Sequence, residues 1–162
     1  MTIQHYTTYS AEETRAVARS FAERLQRGDV VALTGELGAG KTQFVKGVCE
    51  AFGVTEHVMS PSFVILNRYS GRDRSGAELL IYHLDLYRVA SIEEVYDIGI
   101  EEFVYGDGIT LIEWAELLGE MLPANRYDVR LSLGADAHER LISIGRRAEA
   151  GVRREIREEA GA

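Results

Sequence analysis

The sequence predicts an α/β domain with a mixed parallel and antiparallel central sheet. In the first part of the chain, patterns typical of helices alternate with a short apolar run typical of a buried strand. Segments rich in β-forming residues follow in the second part. A glycine-rich stretch joins the buried-strand run directly to a helical pattern, and this junction is where we expect the chemistry to lie.

The composition indicates one globular domain. The 162 residues suffice for one core, with 46% hydrophobic and 27% charged residues. No apolar run approaches the ~20 residues of a membrane span, and the first ten residues lack the pattern of a secretory signal. With a single cysteine, Cys49, we expect a cytoplasmic protein without disulfides. The net charge of −8 argues against unaided nucleic-acid binding, although a partner could carry the RNA.

Two helices and one strand are predicted in the first part of the domain. Ser10 and Glu13 have the spacing of a capping box, and apolar residues then recur at helical spacing, which predicts a helix at 11–27. The apolar run at 29–34 fits a strand that is buried on both faces. Helical spacing resumes at 42–52 and ends before a glycine.

A hairpin is predicted in the middle of the chain. Residues 58–69 are rich in β-branched and aromatic residues, although Pro61 interrupts them near their start. A polar turn at 70–76 separates this segment from a second strand at 78–86. The two segments could therefore pair across the turn.

The remaining predicted elements alternate between helices and strands. They are a helix at 91–105 broken at Gly99, a strand at 108–113, a short helix at 115–121, and an antiparallel pair at 127–133 and 140–144. From residue 146 the chain is almost entirely charge and alanine. We therefore expect one domain at 1–145 and a charged C-terminal tail at 146–162, either helical or disordered.

Residues 35–42 read Gly-Glu-Leu-Gly-Ala-Gly-Lys-Thr and match the motif G-x-x-x-x-G-K-[ST]. Glycines let backbone N–H groups close around phosphate oxygens, and the following helix directs its positive end at the same anion. Lys41, one of only two lysines in the chain, can reach the β and γ phosphates, and the Thr42 hydroxyl can ligate Mg²⁺. The motif predicts a three-layer domain of the P-loop NTPase type.

Two strand-like runs end in an acid, one at Asp85 and the other at Glu113. P-loop sites use such carboxylates to hold Mg²⁺ or to orient the attacking water. We assign both residues to these tasks and leave their division open. His83 shares the strand face of Asp85 and is interpreted as a packed, hydrogen-bonded histidine. For Trp114, the only tryptophan, core packing and contact with the nucleotide pocket are equal alternatives.

The order of these motifs is similar to that of one family. The chain carries, in sequence, Glu13-Thr14, the loop 35–42, Ser60-Pro61-Ser62-Phe63, His83-Leu84-Asp85-Leu86-Tyr87-Arg88, and Glu113-Trp114. From about residue 10 to residue 133 it resembles the TsaE ATPases, also called YjeE, which serve bacterial tRNA threonylcarbamoyladenosine synthesis. Three positions depart from the commonest pattern. Glu36 replaces an Asp and Ser62 a Thr, which keeps the chemistry, and Ala115 replaces a Pro.

Together with the motifs, the resemblance implies a set of site residues. The catalytic residues would be Lys41, Asp85 and Glu113, and the metal ligands would be Thr42, Asp85 and Glu113. Ser60, Pro61 and Ser62 would form a switch segment near the γ-phosphate. The nucleotide-binding residues would be Thr14 near the adenine, Gly35, Glu36, Leu37, Gly38, Ala39, Gly40, Lys41, Thr42, Gln43 and Trp114. Arg88 is either a charge-stabilising arginine or half of a surface ion pair, with the second slightly favoured.

The resemblance also implies a function. The protein would bind ATP with Mg²⁺ and hydrolyse it slowly, weakly without partners, to drive the cycle of the complex that modifies adenosine 37 of tRNA. The partners would be the TsaD and TsaB proteins, with tRNA contacted indirectly and no membrane involved.

Two other P-loop functions are alternatives. A small-molecule kinase would need an acceptor pocket and usually an arginine-bearing lid, for which Arg68, Arg72 and Arg74 are the candidates. A GTP-dependent switch would need an Asn-Lys-x-Asp guanine-reading motif, and neither lysine lies in one.

Overall fold

The computed structural model describes residues 2–61 and 65–148, which form one seven-stranded sheet with helices on both faces. The strands are β1 (Ile3–Thr8), β2 (Val30–Thr34), β3 (Leu66–Arg72), β4 (Glu78–Asp85), β5 (Ile109–Glu113), β6 (Arg126–Leu133) and β7 (Arg140–Arg147). The helices are α1 (Ala11–Ala22), α2 (Lys41–Ala51), α3 (Ile92–Ile98), α4 (Ile100–Val104) and a 3₁₀ helix (Ala115–Met121).

The strand order is β1-β7-β6-β2-β5-β4-β3. Strand β2 lies at the centre, parallel to both of its neighbours, β5 and β6. Strands β4 and β5 are also parallel, whereas β3 and β4 form an antiparallel hairpin. On the other side, β7 pairs antiparallel with both β1 and β6. The predicted mixed sheet is therefore confirmed, as are the hairpin and the late antiparallel pair.

Alternation along β2 shows the three layers. Val31 and Leu33 belong to the apolar cluster that includes α1 and α2, while Val30 and Ala32 belong to the cluster that includes α3, α4 and the 3₁₀ helix. All four side chains are at most 2% exposed. Both faces of the strand are thus covered, as expected for a parallel strand with an apolar sequence.

Helix α1 begins at its predicted capping residue but ends earlier than predicted. Ser10 Oγ accepts from the Glu13 backbone N–H at 3.1 Å, while the Glu13 carboxylate binds the Tyr9 backbone N–H. The helix ends at Ala22 instead of residue 27. The Asp29 carboxylate accepts from the Gln26 N–H at 2.8 Å, and this local bond satisfies a donor that a continued helix would have used.

The hairpin starts later in the chain than predicted. Strand β3 begins at Leu66 instead of residue 58, because Pro61 lacks the N–H that a ladder requires. It also extends to Arg72, within the predicted turn. The actual turn forms around Asp73, whose Oδ1 accepts from the N–H groups of Ser75 at 2.9 Å and Ala77 at 3.0 Å.

The two ends of the described chain form strands that the sequence predicted incompletely. Strand β1 was not expected, because its sequence Ile-Gln-His-Tyr-Thr-Thr is mostly polar, yet all six residues pair with β7. Strand β7 continues to Arg147, three residues beyond the predicted end. Of the predicted tail, residues 149–162 lie outside the described residues. Among the helices described, none has both the length and the apolar character needed to cross a membrane.

Candidate functional site

The glycine-rich loop lies between the end of β2 and the start of α2 and requires glycine at its first position. Gly35 has φ of 136°, and a Cβ at this position would lie 2.0 Å from the Leu131 carbonyl oxygen on β6. No other residue type fits this approach to the neighbouring strand without displacing backbone. Gly40 precedes α2 at φ 102°, also in the left-handed region. The loop is therefore held against the sheet while its outer side stays open.

Lys41 lies over the loop that precedes it. Its Nζ donates to the carbonyl oxygens of Gly35 at 2.6 Å and Glu36 at 2.9 Å, and lies 4.2 Å from the centre of the Trp114 ring. Burial lowers the pKa of Lys41, and nearby carboxylates, Glu113 foremost, oppose that shift. The arrangement keeps an ammonium group at the loop, where it can meet an anion.

Thr42 and the two strand-end acids lie together. The Thr42 hydroxyl donates to both carboxylate oxygens of Glu113, at 3.0 and 3.1 Å. Glu113 ends β5, and the register of the parallel pair places it opposite Asp85 at the end of β4. Both acids are buried, at 3% and 7% exposure. The carboxyl ends of adjacent parallel strands thus converge on the hydroxyl at the start of α2.

Asp85 connects this centre to the predicted switch segment. Its Oδ2 accepts from the Ser60 hydroxyl at 2.6 Å and its Oδ1 accepts from the Tyr87 N–H at 3.0 Å. The backbone before Ser60 is also tied, because the Met59 carbonyl accepts from the Asn67 amide at 3.2 Å and from the Tyr69 hydroxyl at 3.3 Å.

These groups line an open cleft of about 450 Å³. Its walls are Leu37, Gly38, Gly40, Lys41, Thr42, Gln43, Ser60, Asp85, Tyr87, Arg88, Glu113 and Trp114. Most of the residues that the motifs singled out meet here, although they come from four separate parts of the sequence.

The sequence of this chain matches a family of known proteins. Residues 8–142 match the family described as threonylcarbamoyl adenosine biosynthesis protein TsaE. The chain belongs to the TsaE family. It is 38% identical over 146 residues to the tRNA threonylcarbamoyladenosine biosynthesis protein TsaE of Bacillus subtilis, covering 89% of this chain and 88% of that one. With the corresponding protein of Treponema pallidum it shares 40% identity over 132 residues, covering 82% and 93%.

A solved structure agrees with this membership. The crystal structure of YdiB from Bacillus subtilis superposes with a TM-score of 0.74 at 34% identity, covering 99% of this chain and 95% of that one. The resemblance to TsaE that the motifs indicated is thereby confirmed, together with the α/β fold of the P-loop NTPase type.

Several predicted site residues of this TsaE-family chain do not line the cleft. The Glu36 side chain points elsewhere, because its Oε1 accepts from the Leu133 N–H at 2.8 Å. Ala39 is fully buried in the core cluster behind the loop. Thr14 is 2% exposed, and its hydroxyl lies 2.8 Å from that of Thr8. Ser62 lies outside the described residues, and Pro61 is not among the residues that line the cleft.

Of the residues of this TsaE-family cleft, Tyr87 was given no role from the sequence, and for Arg88 a charge-stabilising role was the less favoured of two alternatives. Tyr87 and Arg88 line the cleft, and the Tyr87 ring lies 4.9 Å from the Trp114 ring. Both belong to the His-Leu-Asp-Leu-Tyr-Arg run, so their position directly after the strand acid was the signal available. For Trp114, the structure combines both alternatives, since it packs on a core cluster and also lines the cleft.

The oxygen atoms around Thr42 fit a magnesium ion. Within residues 2–61 and 65–148, no three His, Cys, Asp or Glu side chains are grouped as a protein-only metal site. Mg²⁺ typically binds one or two carboxylates plus substrate phosphates, and keeps several waters. One hydroxyl and two carboxylates beside a phosphate loop match this chemistry.

Proposed function

We propose that this protein binds ATP with Mg²⁺ and hydrolyses it to drive the cycle of the complex that synthesises threonylcarbamoyladenosine in tRNA. The observation that carries the proposal is the contact of the Thr42 hydroxyl with Glu113 at the mouth of the phosphate loop. A hydroxyl at the start of a helix and an acid at the end of the adjacent strand are the groups that P-loop NTPases use around Mg²⁺.

The chain's own groups would act mainly by electrostatics and positioning. The backbone N–H groups of the loop and the N-terminus of α2 bind phosphate oxygens. Lys41 leaves the Gly35 and Glu36 carbonyls and pairs with the β and γ phosphates. Thr42, Glu113 and Asp85 would hold Mg²⁺, which would neutralise the phosphate charge, and one of the two acids would orient the attacking water.

Ser60 of the switch segment could transmit the state of the bound nucleotide to a partner protein. Ser60 is bonded to Asp85 in this structure, so a ligand that competes for the Asp85 carboxylate would release Ser60. We propose TsaD and TsaB as the partners that read this change, with tRNA contacted through them and the reaction taking place in the cytoplasm. The net charge of −8 is consistent with a subunit that does not itself hold the RNA.

Removal of either lysine of α2 should have a very different effect on Mg-ATP hydrolysis. Lys41→Ala should abolish Mg-ATP hydrolysis, because the group that pairs with the β and γ phosphates is lost. Lys46→Ala removes the same charge from the same helix, but Lys46 lines a separate hollow with Cys49 and Glu50, so its hydrolysis rate should stay within about twofold of wild type. Phosphate release is measured with the protein alone and then with TsaD, TsaB and tRNA.

The outcome distinguishes the candidate functions. Turnover that rises with the partners and is lost only in Lys41→Ala supports an ATPase serving that complex. Transfer of the phosphate to a metabolite, or a clear preference for GTP, would instead identify a kinase or a GTP switch and contradict the proposal.

A further inference from the structure

His83 is a buried polar residue whose role the proposed function leaves open. It lies on β4 with 0% exposure, and its Nε2 is 2.5 Å from Glu113 Oε2 on the neighbouring strand. Its other ring nitrogen, Nδ1, has no hydrogen-bond partner among the described residues. Its one hydrogen bond among the described residues goes to the acid beside Thr42, and its ring centre lies 6.2 Å from that of Tyr69.

The surrounding hydrogen bonds assign the tautomer of this histidine. Glu113 also accepts from the Thr42 hydroxyl, so its carboxylate acts as the acceptor in both contacts. The proton between His83 and Glu113 is therefore placed on Nε2. The opposite tautomer would bury an unpaired Nδ1–H and set two acceptors against each other.

We infer that His83 is a positioning residue that fixes the Glu113 carboxylate for Mg²⁺, an inference that rests on the proposed function. The Nε2–H holds Oε2, while the Thr42 hydroxyl bridges both oxygens. These contacts hold the carboxylate plane, and Oε1, which His83 does not contact, would be available to Mg²⁺ or to a water bound to it. Groups that orient a metal-binding carboxylate in this way typically change metal affinity ~10- to 100-fold when removed.

Packing alone does not account for this choice of residue. Ile81, whose side chain lies on the same face of β4, is apolar and fully buried, so an aliphatic side chain would fill the His83 position without a desolvation cost. The imidazole also leaves one nitrogen unsatisfied, which an aliphatic residue would avoid. The compensation is the bond to Glu113.

The test uses two variants of similar shape, His83→Gln and His83→Met. Both remove the ring, but only glutamine carries an N–H group at about the reach of Nε2. ADP binding to the full chain is measured by calorimetry, first without metal and then across a series of Mg²⁺ concentrations. The measured quantity is the Mg²⁺ concentration that gives half of the gain in ADP affinity. We expect this concentration to be at least ~10-fold higher in His83→Met than in wild type, and less than ~3-fold higher in His83→Gln.

The metal-free measurement separates positioning from a structural role. Both variants should bind ADP without Mg²⁺ as wild type does, because the phosphate loop is intact. Equal Mg²⁺ requirements in the two variants, or an unchanged requirement in His83→Met, would overturn the inference while leaving the proposed function standing. If the ADP affinity of the wild-type protein does not depend on Mg²⁺, both the inference and the proposed function are overturned.

A measurement on wild-type protein covers the case in which the variants do not fold. The ¹⁵N shifts of the His83 ring should report a proton on Nε2 and should move when Mg²⁺ is added to the ADP-bound protein. A proton on Nδ1 alone, or ¹⁵N shifts that do not change with Mg²⁺, would overturn the inference.

Discussion

At the scale of single residues, the site is organised around the ammonium group of Lys41, which donates its hydrogen bonds to carbonyl groups of its own loop. Lys41 contacts two loop carbonyls and the face of Trp114, so under the proposed function the nucleotide phosphates would have to replace these partners. Trp114 adopts φ of 58°, a left-handed conformation that costs a non-glycine residue roughly 1–2 kcal/mol. The contacts of its ring with Lys41 and Tyr87 offset part of this cost.

Because Trp114 is the only tryptophan, its fluorescence should report the movement of Lys41. We expect ADP to change the emission intensity or wavelength, since the β-phosphate draws the ammonium away from the ring. AMP, which lacks that phosphate, should leave the emission nearly unchanged at equal occupancy. Calorimetric ADP binding without any change in emission would contradict this prediction.

The sequence predicted which residues lie together better than it predicted the direction of their side chains. Lys41, Thr42, Asp85 and Glu113 could be placed together because motif and strand-end positions converge at one edge of a parallel sheet. Glu36 could not be excluded from the cleft, because its partner, the Leu133 N–H, lies 97 residues away and belongs to β6. Contacts of that kind depend on which strands are neighbours, and local patterns do not contain this information.

At the scale of elements, the contact between α1 and α2 requires a residue without a side chain. A Cβ on Gly47 would lie 2.4 Å from the Arg15 carbonyl oxygen and 2.6 Å from Ala18 Cβ. The helices can approach closely only because this position is glycine. Arg15 also donates to the Gln43 side chain at 2.7 Å, so α1 supports the first turn of the helix that carries Thr42.

Two effects oppose each other in Gly47→Ala. Helix propensity alone would stabilise the protein by up to ~1 kcal/mol, whereas overpacking against a backbone oxygen typically costs ~1–3 kcal/mol. We expect the clash to win, with a net loss of roughly 1–2 kcal/mol in the free energy of unfolding measured by denaturant titration. Adding Ala18→Gly should restore only part of that loss, because the Arg15 carbonyl remains. A net gain in the single variant would contradict the prediction.

The errors in element prediction have identifiable physical causes. Strand β1 lies at the edge of the sheet, so its mostly polar sequence does not show the alternation of a half-buried strand. The helical spacing of apolar residues continues beyond Ala22, where α1 ends. Leu25 is buried because a turn, held by the bond between Gln26 N–H and Asp29, directs it into the core. Strand β2, buried on both faces, was the easiest to predict because nothing but an apolar run fits there.

At the scale of the whole molecule, the reactivity of the Cys49 thiol measures how often the core of the domain opens to solvent. It lies in the larger apolar cluster with 1% exposure, and burial raises the pKa of its thiol to about 12. Because the thiolate is the reactive form, the native thiol should react far more slowly than an exposed one.

We therefore expect disulfide reagents at pH 8 to modify Cys49 at least ~10³-fold more slowly in the native protein than in guanidinium. Saturating Mg-ADP should slow the reaction further, because a ligand that binds only the native state lowers the open population. Fast labelling of native protein would show that α2 opens locally. A rate unaffected by bound Mg-ADP would show that this opening leaves the nucleotide site intact.

The pairing of β1 with β7 also sets an order of events during synthesis. Ile3 pairs in register with Gly145, so β1, which is made before the other described strands, finds its partner only when nearly all of the described chain has been made. At roughly 5–20 residues per second this interval is about 7–30 s. The loop 35–42 and α2 emerge well before β6, whose Leu131 carbonyl approaches Gly35 closely. A nascent chain therefore has its whole G-x-x-x-x-G-K-[ST] motif long before the strand that packs behind the motif has been made.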